Sequence, residues 1–148
     1  MRIERLSLHN YRQFRDQDIW FRQVPGTDLH LLIGENGTGK TNILNAINWC
    51  LYGEEPHLSR GSELLPVLNL QATRESAQGE ERKVLVEIAT KADDEREIAF
   101  TREATYRICE GQPSLHGTEF HVRTPDDKGN TKILPEDAGQ AYVTRFVP

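Results

Sequence analysis

The sequence predicts an α/β fold in which a strand, a glycine-rich loop and a helix are followed by a group of antiparallel strands. An apolar run at residues 29–33 leads into the glycine-rich stretch 34–41, and an amphipathic segment at residues 41–51 comes next. Beyond residue 83, apolar and polar side chains alternate with a period of two, which is typical of strands with one buried face. The length of 148 residues fits one domain or part of one.

The composition excludes several classes of protein. Hydrophobic residues make up 36% of the chain, which is low for a domain that folds without partners. The net charge of −5 argues against a chain that is basic throughout, although local basic faces remain compatible with a DNA partner. No apolar run is long enough to span a bilayer, and charged residues occupy the N-terminus, where a signal peptide needs an apolar stretch. We therefore expect a cytoplasmic protein with no membrane partner.

The cysteines and histidines do not show the spacing of metal ligands. Cys50 and Cys109 lack a CxxC partner, so neither a disulfide framework nor a zinc site is expected. We expect both cysteines to be reduced core residues and the five histidines to be structural or solvated. Trp20 and Trp49 are expected in the core rather than as stacking platforms for bases.

The N-terminal third of the chain predicts three strands. Residues 1–9 form a strand whose inward phase shifts once, which indicates a bulge. Residues 10–14 interrupt it, and residues 18–22 form a second strand. A turn is predicted at residues 25–28, before the almost wholly apolar run at 29–33, which is typical of a strand buried on both faces.

A helix is predicted over residues 41–51, directly after the glycine-rich stretch. Gly53 lies just past the last apolar residue and is a natural helix end. Residues 54–82 are polar and contain prolines and glycines, so we expect the greatest mobility there, with a short helix or a packed loop at residues 64–68. The predicted apolar face of the first helix consists of Ile43, Leu44, Ile47, Cys50 and Leu51.

The C-terminal half predicts antiparallel strands and one helix. A charged hairpin tip at residues 91–96 separates the first two strands, and a loop at residues 110–117 leads to a further strand. Residues 125–130 predict a turn. Residues 134–146 predict a helix with Pro135 in its first turn. The inward positions of the strands are Val84, Val86, Ile88, Ile98, Phe100, Tyr106, Ile108, Phe120 and Val122, and those of the helix are Ala138, Ala141, Tyr142 and Phe146.

The pattern GxxxxGK[ST] at residues 34–41 predicts a phosphate-binding loop. Glycines permit positive φ angles and close approach, so that successive backbone N–H groups point into one concavity at the positive end of the helix. Lys40 is predicted to reach the β- and γ-phosphates, and the Thr41 hydroxyl is predicted to ligate Mg²⁺. The expected cofactors are ATP and Mg²⁺. The alternative is a glycine-rich turn that binds nothing.

Three segments resemble a known family of ATPases. With Asn36 and Gly37, the loop has the form G-x-N-G-x-G-K-[ST], which resembles that of ABC-type and SMC-type ATPases (SMC, structural maintenance of chromosomes). Residues 1–14 are similar to the opening of SMC-like, RecF-like and double-strand-break-repair ATPases, in which a strand ends in an Asn-aromatic-Arg turn. Residues 45–53 resemble most the bacterial branch that contains DndD, the ATPase of phosphorothioate-dependent DNA systems, and related anti-phage ATPases. Together the resemblance covers residues 1–53.

The resemblance implies a P-loop NTPase fold, namely the N-terminal lobe of an ABC-type ATPase head with an antiparallel β subdomain. It also implies that Arg12 reaches the nucleotide phosphates. The alternative for Arg12 is a solvated turn residue. The other nucleotide-binding residues implied by the motif are Asn36, Gly37, Thr38, Gly39, Lys40, Thr41 and Asn42.

Hydrolysis by this family requires carboxylates that the sequence does not supply in a convincing setting. No apolar strand ends in Asp-Glu, and Glu87 is interpreted as an outward-facing strand residue because the alternation continues through Ile88. Asp93 and Asp94 are interpreted as a solvated hairpin tip. No Ser-Gly-Gly signature is present, and Gln140 has a helical context rather than that of a Q-loop.

We therefore predict no catalytic residue in this chain. Residues 1–148 are expected to form the N-terminal half of a head, with the coiled coil and the C-terminal half absent. The isolated chain is expected to be nearly inactive as an ATPase.

The resemblance also implies partners. These are the C-terminal half of the same head, a second identical head, and DNA for the full protein, which would act in repair or in modification-dependent restriction and phage defence. A different hypothesis is a nucleotide-gated dimerisation module without significant hydrolysis. A complete small P-loop kinase or GTPase is disfavoured, because the second half predicts antiparallel strands. Four basic residues, Arg60, Arg74, Arg82 and Lys83, are interleaved with glutamates and are interpreted as a solvated mixed surface rather than a DNA-binding face.

Overall fold

A computed structural model describes residues 1–22, 29–55, 65–92 and 95–146 of the chain. The turn predicted at residues 25–28, Arg60 and the pair Asp93 and Asp94 lie outside the described residues. The elements, in chain order, are β1 (Arg2–Tyr11), β2 (Phe14–Trp20), α1 (Lys40–Tyr52), α2 (Leu70–Arg74), β3 (Glu81–Lys91), β4 (Glu97–Cys109), β5 (Gln112–Pro125), β6 (Thr131–Leu134) and α3 (Glu136–Phe146).

The strands form one six-stranded sheet in the order β2-β1-β3-β4-β5-β6, and every neighbouring pair is antiparallel. Tight hairpins join most neighbours in the chain, which is why sequential strands lie side by side. The pairing of β1 with β3 shifts register between Ile3 and Arg5, which confirms the predicted bulge. The interruption at residues 10–14 is only a two-residue turn, and β2 begins at Phe14, earlier than predicted.

Helices α1 and α3 pack against one face of the sheet, α1 on β3 and β4 and α3 on β5. Alternation along the strands places apolar side chains under these helices, as predicted. Buried apolar strand residues include Leu6, Leu8, Val84, Val86, Ile88, Ile98, Phe100, Tyr106, Ile108, Phe120 and Val122. None of the described helices has the length and apolar character needed to cross a membrane.

Helix α1 is confirmed, but its buried face is rotated from the predicted one. Leu44 is 54% exposed, whereas Asn45 and Ala46 are fully buried. Cys50, which the predicted face includes, packs over β3 with its Sγ 3.4 Å from the carbonyl oxygen of Val86. The helix ends at Gly53, whose φ of 75° lets its N–H bond to the carbonyl of Trp49, as the sequence predicts.

The predicted strand at residues 29–33 is absent, and this is the main correction to the sequence analysis. The segment pairs with none of the six strands, and Ile33 is 90% exposed. A strand buried on both faces requires hydrogen-bonded neighbours and two covering layers. Neither is supplied here by the described residues. Trp20 at the end of β2 is likewise exposed, contrary to prediction, while Trp49 is buried.

The second half also differs in three details. The predicted loop at residues 110–117 is a two-residue turn at Glu110 and Gly111, both with positive φ, so β5 starts at Gln112. Strand β6 was not predicted. In α3, Ala138 and Ala141 are exposed instead of buried. Among the α3 residues whose burial is described, Gly139 and Val143 are the buried ones. Gly139 packs closely on β5, since a Cβ added there would lie 3.2 Å from side-chain atoms of Phe120 and Val122.

Of the two alternatives predicted for residues 64–68, the described residues form the packed loop, and the short helix α2 lies beyond them at Leu70–Arg74. Residues 67 and 68 form a packed loop with buried side chains, and Leu68 forms an isolated bridge with Tyr11. The short helix α2 follows. Asn69 caps α2, since its side-chain oxygen accepts hydrogen bonds from the backbone N–H groups of Gln71 and Ala72, each at 3.0 Å.

Candidate functional site

The glycine loop leads directly into the first turn of α1. Gly37 and Gly39 adopt φ angles of 84° and 100°, which a residue with a Cβ rarely adopts. Residues 34–38 are all exposed, so the loop is open to solvent. The loop and first helical turn bring together the predicted residues Asn36, Gly37, Thr38, Gly39, Lys40, Thr41 and Asn42.

Lys40 holds the loop in its curved form. Its Nζ donates hydrogen bonds to the carbonyl oxygens of Gly34, at 2.7 Å, and Glu35, at 2.6 Å. The Thr38 hydroxyl also donates to the carbonyl oxygen of Glu35, at 2.9 Å. The ammonium group therefore sits inside the concavity, where it carries a positive charge toward an entering anion.

The N-terminus of α1 adds to this positive potential. The helix has 13 residues, no side chain caps its first turn, and no acidic residue lies in that turn. The partial positive charge of the helix is therefore not neutralised locally. Thr41, the second residue of α1, is exposed at this end. The arrangement has the donors and the charge required for a phosphate chain, with a hydroxyl beside it that can serve as a Mg²⁺ ligand.

Arg12 does not point freely into solvent, so the alternative of a solvated turn residue is wrong. Its guanidinium forms an ion pair with Glu55 through Nη2, donates through Nε to the same carboxylate at 3.1 Å, and donates through Nη1 to the Pro66 carbonyl at 3.1 Å. The Arg12 side chain is 17% exposed and that of Glu55 is 7% exposed. The predicted contact between Arg12 and phosphates is not tested by these partners.

The Arg12 and Glu55 pair is part of a buried polar network. The Tyr11 hydroxyl donates to Glu55 at 2.5 Å. Burial, and then the hydrogen bond and charge of Glu55, raise the pKa of the Tyr11 phenol well above its ordinary value. Burial alone would lower the pKa of Arg12, but the hydrogen bonds and charge of Glu55 outweigh it and raise that pKa. The guanidinium of Arg12 therefore keeps its charge in this network.

Gln13, which the sequence analysis did not single out, contacts the loop directly. Its Oε1 accepts a hydrogen bond from Asn42 Nδ2. A Cβ added at Gly39 would lie 1.7 Å from Gln13 Nε2 and 3.0 Å from Phe14 Cζ. The turn between β1 and β2 therefore covers the last glycine of the loop. The only signal in the sequence is the position of Gln13 immediately after Arg12 in the Asn-Tyr-Arg turn.

The candidate carboxylate and glutamine lie elsewhere. Glu87 is on the sheet face opposite the helices, where it pairs with Arg5 at 2.6 Å and Arg123 at 3.2 Å, which confirms the outward-facing interpretation. Gln140 lies in α3, as its context predicted, and donates to the Leu51 carbonyl at 3.2 Å. No cluster of three or more potential metal-ligating side chains occurs within the described ranges. Of the basic residues, Arg82 and Lys83 pair with Glu80 and Glu103, as expected of a mixed surface.

A known protein family matches almost the whole chain. A family model described as "AAA domain" matches residues 5–145. The DNA replication and repair protein RecF of Clostridium kluyveri is 35% identical over 65 residues, which are 44% of this chain and 17% of that protein. Structural maintenance of chromosomes protein 1 of Arabidopsis thaliana is 31% identical over 121 residues, which are 82% of this chain and 9% of that protein. The chain spans less than a fifth of the length of these relatives.

The fold is also similar to that of a solved protein. The match has a TM-score of 0.62 at 18% identity and covers 97% of this chain and 78% of the other. That structure comes from work on the structural biochemistry of ATP-driven dimerization and DNA-stimulated activation of SMC ATPases.

Proposed function

The chain belongs to the AAA domain family and has the P-loop NTPase fold of the N-terminal lobe of an SMC-type ATPase head, and from this premise we propose that it is the ATP–Mg²⁺-binding lobe of an ATPase that acts in DNA metabolism. This fold is the predicted one, an ABC-type head lobe with an antiparallel β subdomain. Relatives named for DNA replication and repair, and for chromosome maintenance, support the assignment to DNA metabolism.

The observation that carries the proposal is the open glycine loop at the uncapped N-terminus of α1. The loop turns with positive φ at Gly37 and Gly39, and it holds the lysine ammonium in its concavity at an exposed helix start. This combination suits the binding of a polyphosphate. A glycine-rich turn without a ligand has no need of this combination.

The residues proposed to bind the nucleotide are those of the loop, from Asn36 to Asn42, together with Arg12. The Nη1 and Nη2 atoms of Arg12 each carry two hydrogens, and each uses one for its bond to Pro66 or Glu55. The remaining hydrogens allow Arg12 to donate to a phosphate without breaking its buried ion pair. Thr41 is the proposed protein ligand of Mg²⁺, which would neutralise phosphate charge when bound.

We assign residues 1–148 to the N-terminal half of a head and propose that the C-terminal half of the same head completes it. The exposed apolar run at residues 29–33 supports this, because a segment of that composition is suited to strand pairing with a second lobe. A second head and DNA are the further proposed partners. The related solved structure supports both, since its description refers to ATP-driven dimerization and DNA stimulation.

The finer assignment is to the bacterial branch that contains DndD and anti-phage ATPases. It is supported by the resemblance of residues 45–53 and covers modification-dependent restriction and phage defence. A nucleotide-gated dimerisation module without significant hydrolysis is the second candidate. The observation that favours it is again the exposed run at residues 29–33, because an apolar surface of this kind is also suited to self-association.

Calorimetric titration of the chain with ATP–Mg²⁺ tests the proposal. The Lys40→Ala variant removes the ammonium from the loop, and Lys132→Ala removes an exposed lysine on β6 as a charge-matched control. We expect Lys40→Ala to lose binding, Lys132→Ala to retain it, and the parent chain to show negligible turnover. Robust turnover by the parent chain would contradict the assignment of the catalytic groups to another lobe. Failure of the parent chain to bind ATP would overturn the proposed function.

A further inference from the structure

The Gln13 side chain lies over the last glycine of the phosphate-binding loop. Its Nε2 atom lies so close to Gly39 that an added Cβ there would approach it to 1.7 Å. Gly39 immediately precedes Lys40, the first residue of α1, so the Gln13 amide is beside the N-terminus of the helix. Among the described residues, the three atoms nearest to a Cβ added at Gly39, apart from its chain neighbours, are Nε2 and Cδ of Gln13 and Cζ of Phe14.

The two ends of the Gln13 amide have different partners. The acceptor end, Oε1, is engaged by the Asn42 side-chain amide. The donor end, Nε2, has no hydrogen-bond acceptor among the described residues, and the side chain is exposed. The bond from Asn42 therefore turns the donor end of Gln13 toward the loop and keeps the acceptor oxygen, which would repel a phosphate, away from it.

The turn that carries Gln13 is held in place by residues 66–69. The Arg12 N–H donates to the Val67 carbonyl at 2.8 Å, and Asn69 Nδ2 donates to the Arg12 carbonyl at 2.6 Å. These bonds maintain the positive φ of 51° at Arg12, which an arginine rarely adopts. Because the turn is fixed on both sides, the position of Gln13 over the loop does not depend on a ligand.

We propose that Gln13 is a further nucleotide-contacting residue and that its Nε2 donates a hydrogen bond to an oxygen of the phosphate chain. The inference rests on the proposed function, because it requires the loop to bind a polyphosphate. Gln13 adds a neutral donor to the backbone N–H groups and Lys40, with Asn42 as the residue that orients it. A donor fixed before binding contributes more than a mobile one, since less conformational entropy is lost.

Two substitutions of Gln13 test this assignment in the full chain. Gln13→Glu replaces the donor with a carboxylate oxygen, and Gln13→Met keeps the length of the side chain without hydrogen-bonding groups. Gln17→Glu, at an exposed position of β2, makes the same charge change as a matched control. The ligands are ATP–Mg²⁺ and inorganic tripolyphosphate with Mg²⁺, titrated calorimetrically. We expect a loss of affinity of about tenfold for Gln13→Met and a larger loss for Gln13→Glu, with the same ratio for both ligands.

The outcomes separate this inference from the function on which it rests. If the parent chain binds ATP and Lys40→Ala does not, but both Gln13 variants bind as the parent does, the function stands and the Gln13 contact is refuted. A loss for ATP without a loss for tripolyphosphate would place Gln13 at the base or ribose and overturn the phosphate contact. If the parent chain binds neither ligand, both proposals fall. Thermal unfolding midpoints of the variants should equal that of Gln17→Glu, since Gln13 is exposed.

Discussion

The loop region at residues 29–42 and the paired strands β3 and β4 differ in burial and in strand pairing. Ile88 in β3 is 1% exposed and has a strand on each side, whereas Ile33, beside the loop, is 90% exposed and pairs with none of the six described strands. Both are isoleucines in segments of the sequence that are rich in apolar residues. The difference shows that the candidate site is held in place by neighbouring elements, whereas the burial that stabilises the fold lies in the sheet.

The loop is anchored by two neighbouring elements. At its C-terminal end it continues into α1, which packs on β3 and β4. Across from it, the turn between β1 and β2 covers Gly39 and is itself fixed by Glu55 and Asn69. A site held in this way can remain open to solvent without loss of its shape. The predictions below test this separation of stability from binding.

The largest expected effect is on the sheet. Ile88→Ala should lower the free energy of unfolding by about 4 kcal/mol, because it leaves a cavity in the core. Ile33→Ala makes the same change at an exposed site and should alter that free energy by less than about 0.5 kcal/mol. Urea unfolding followed by circular dichroism compares the two. Equal losses would show that residues 29–33 are packed in solution, contrary to the comparison.

A smaller loss is expected from the network that fixes the turn. Glu55→Ala leaves Arg12 without its carboxylate in a largely buried site and should cost about 3 kcal/mol of unfolding free energy. The exposed pair of Arg15 with Glu75 is the control, and Glu75→Ala should leave the unfolding midpoint where it is in the parent. If Glu55→Ala is as stable as Glu75→Ala, the turn does not depend on the buried pair.

The core beneath α1 should also respond to pH. Burial raises the pKa of the Cys50 thiol from about 9 to about 12, so the unfolded chain loses this proton first as pH rises. The contribution of Cys50 is present below pH 9 and is lost between pH 9 and 12. The free energy of unfolding should fall by about 1.4 kcal/mol per pH unit in that window. Cys50→Ala should reduce this slope by about one proton, and an unchanged slope would contradict the prediction.

The smallest expected effect on stability separates binding from folding most directly. Gly39→Ala and Gly79→Ala each place a Cβ at positive φ, 100° and 81°, and should each cost about 1 kcal/mol. Only Gly39→Ala also collides with Gln13, since no atom lies within 4 Å of a Cβ added at Gly79. ATP titration should therefore show a loss for Gly39→Ala alone. A loss in both variants would mean that general destabilisation, and not the loop, controls binding.

Sequence patterns located the loop, α1 and most of the sheet because these depend on local spacing. The glycines at 34, 37 and 39, the lysine that follows, and Gly53 mark the two ends of α1 without reference to the rest of the chain. Alternation placed Val84, Val86 and Ile88 on one face. The same reasoning failed at residues 29–33, because apolar composition shows that a segment can be buried but does not show which neighbours are there to bury it.

The sequence by itself determined which residues make up the candidate site, since the types and spacing of the loop residues match the pattern of a phosphate-binding loop at a helix start. Tertiary structure alone decided which side chains meet that loop. It rotated α1 so that Asn45 is buried and Leu44 is exposed, engaged Arg12 with Glu55, and placed Gln13 over Gly39. These contacts join residues far apart in the chain, and their geometry follows from strand register and helix packing, which no local pattern encodes.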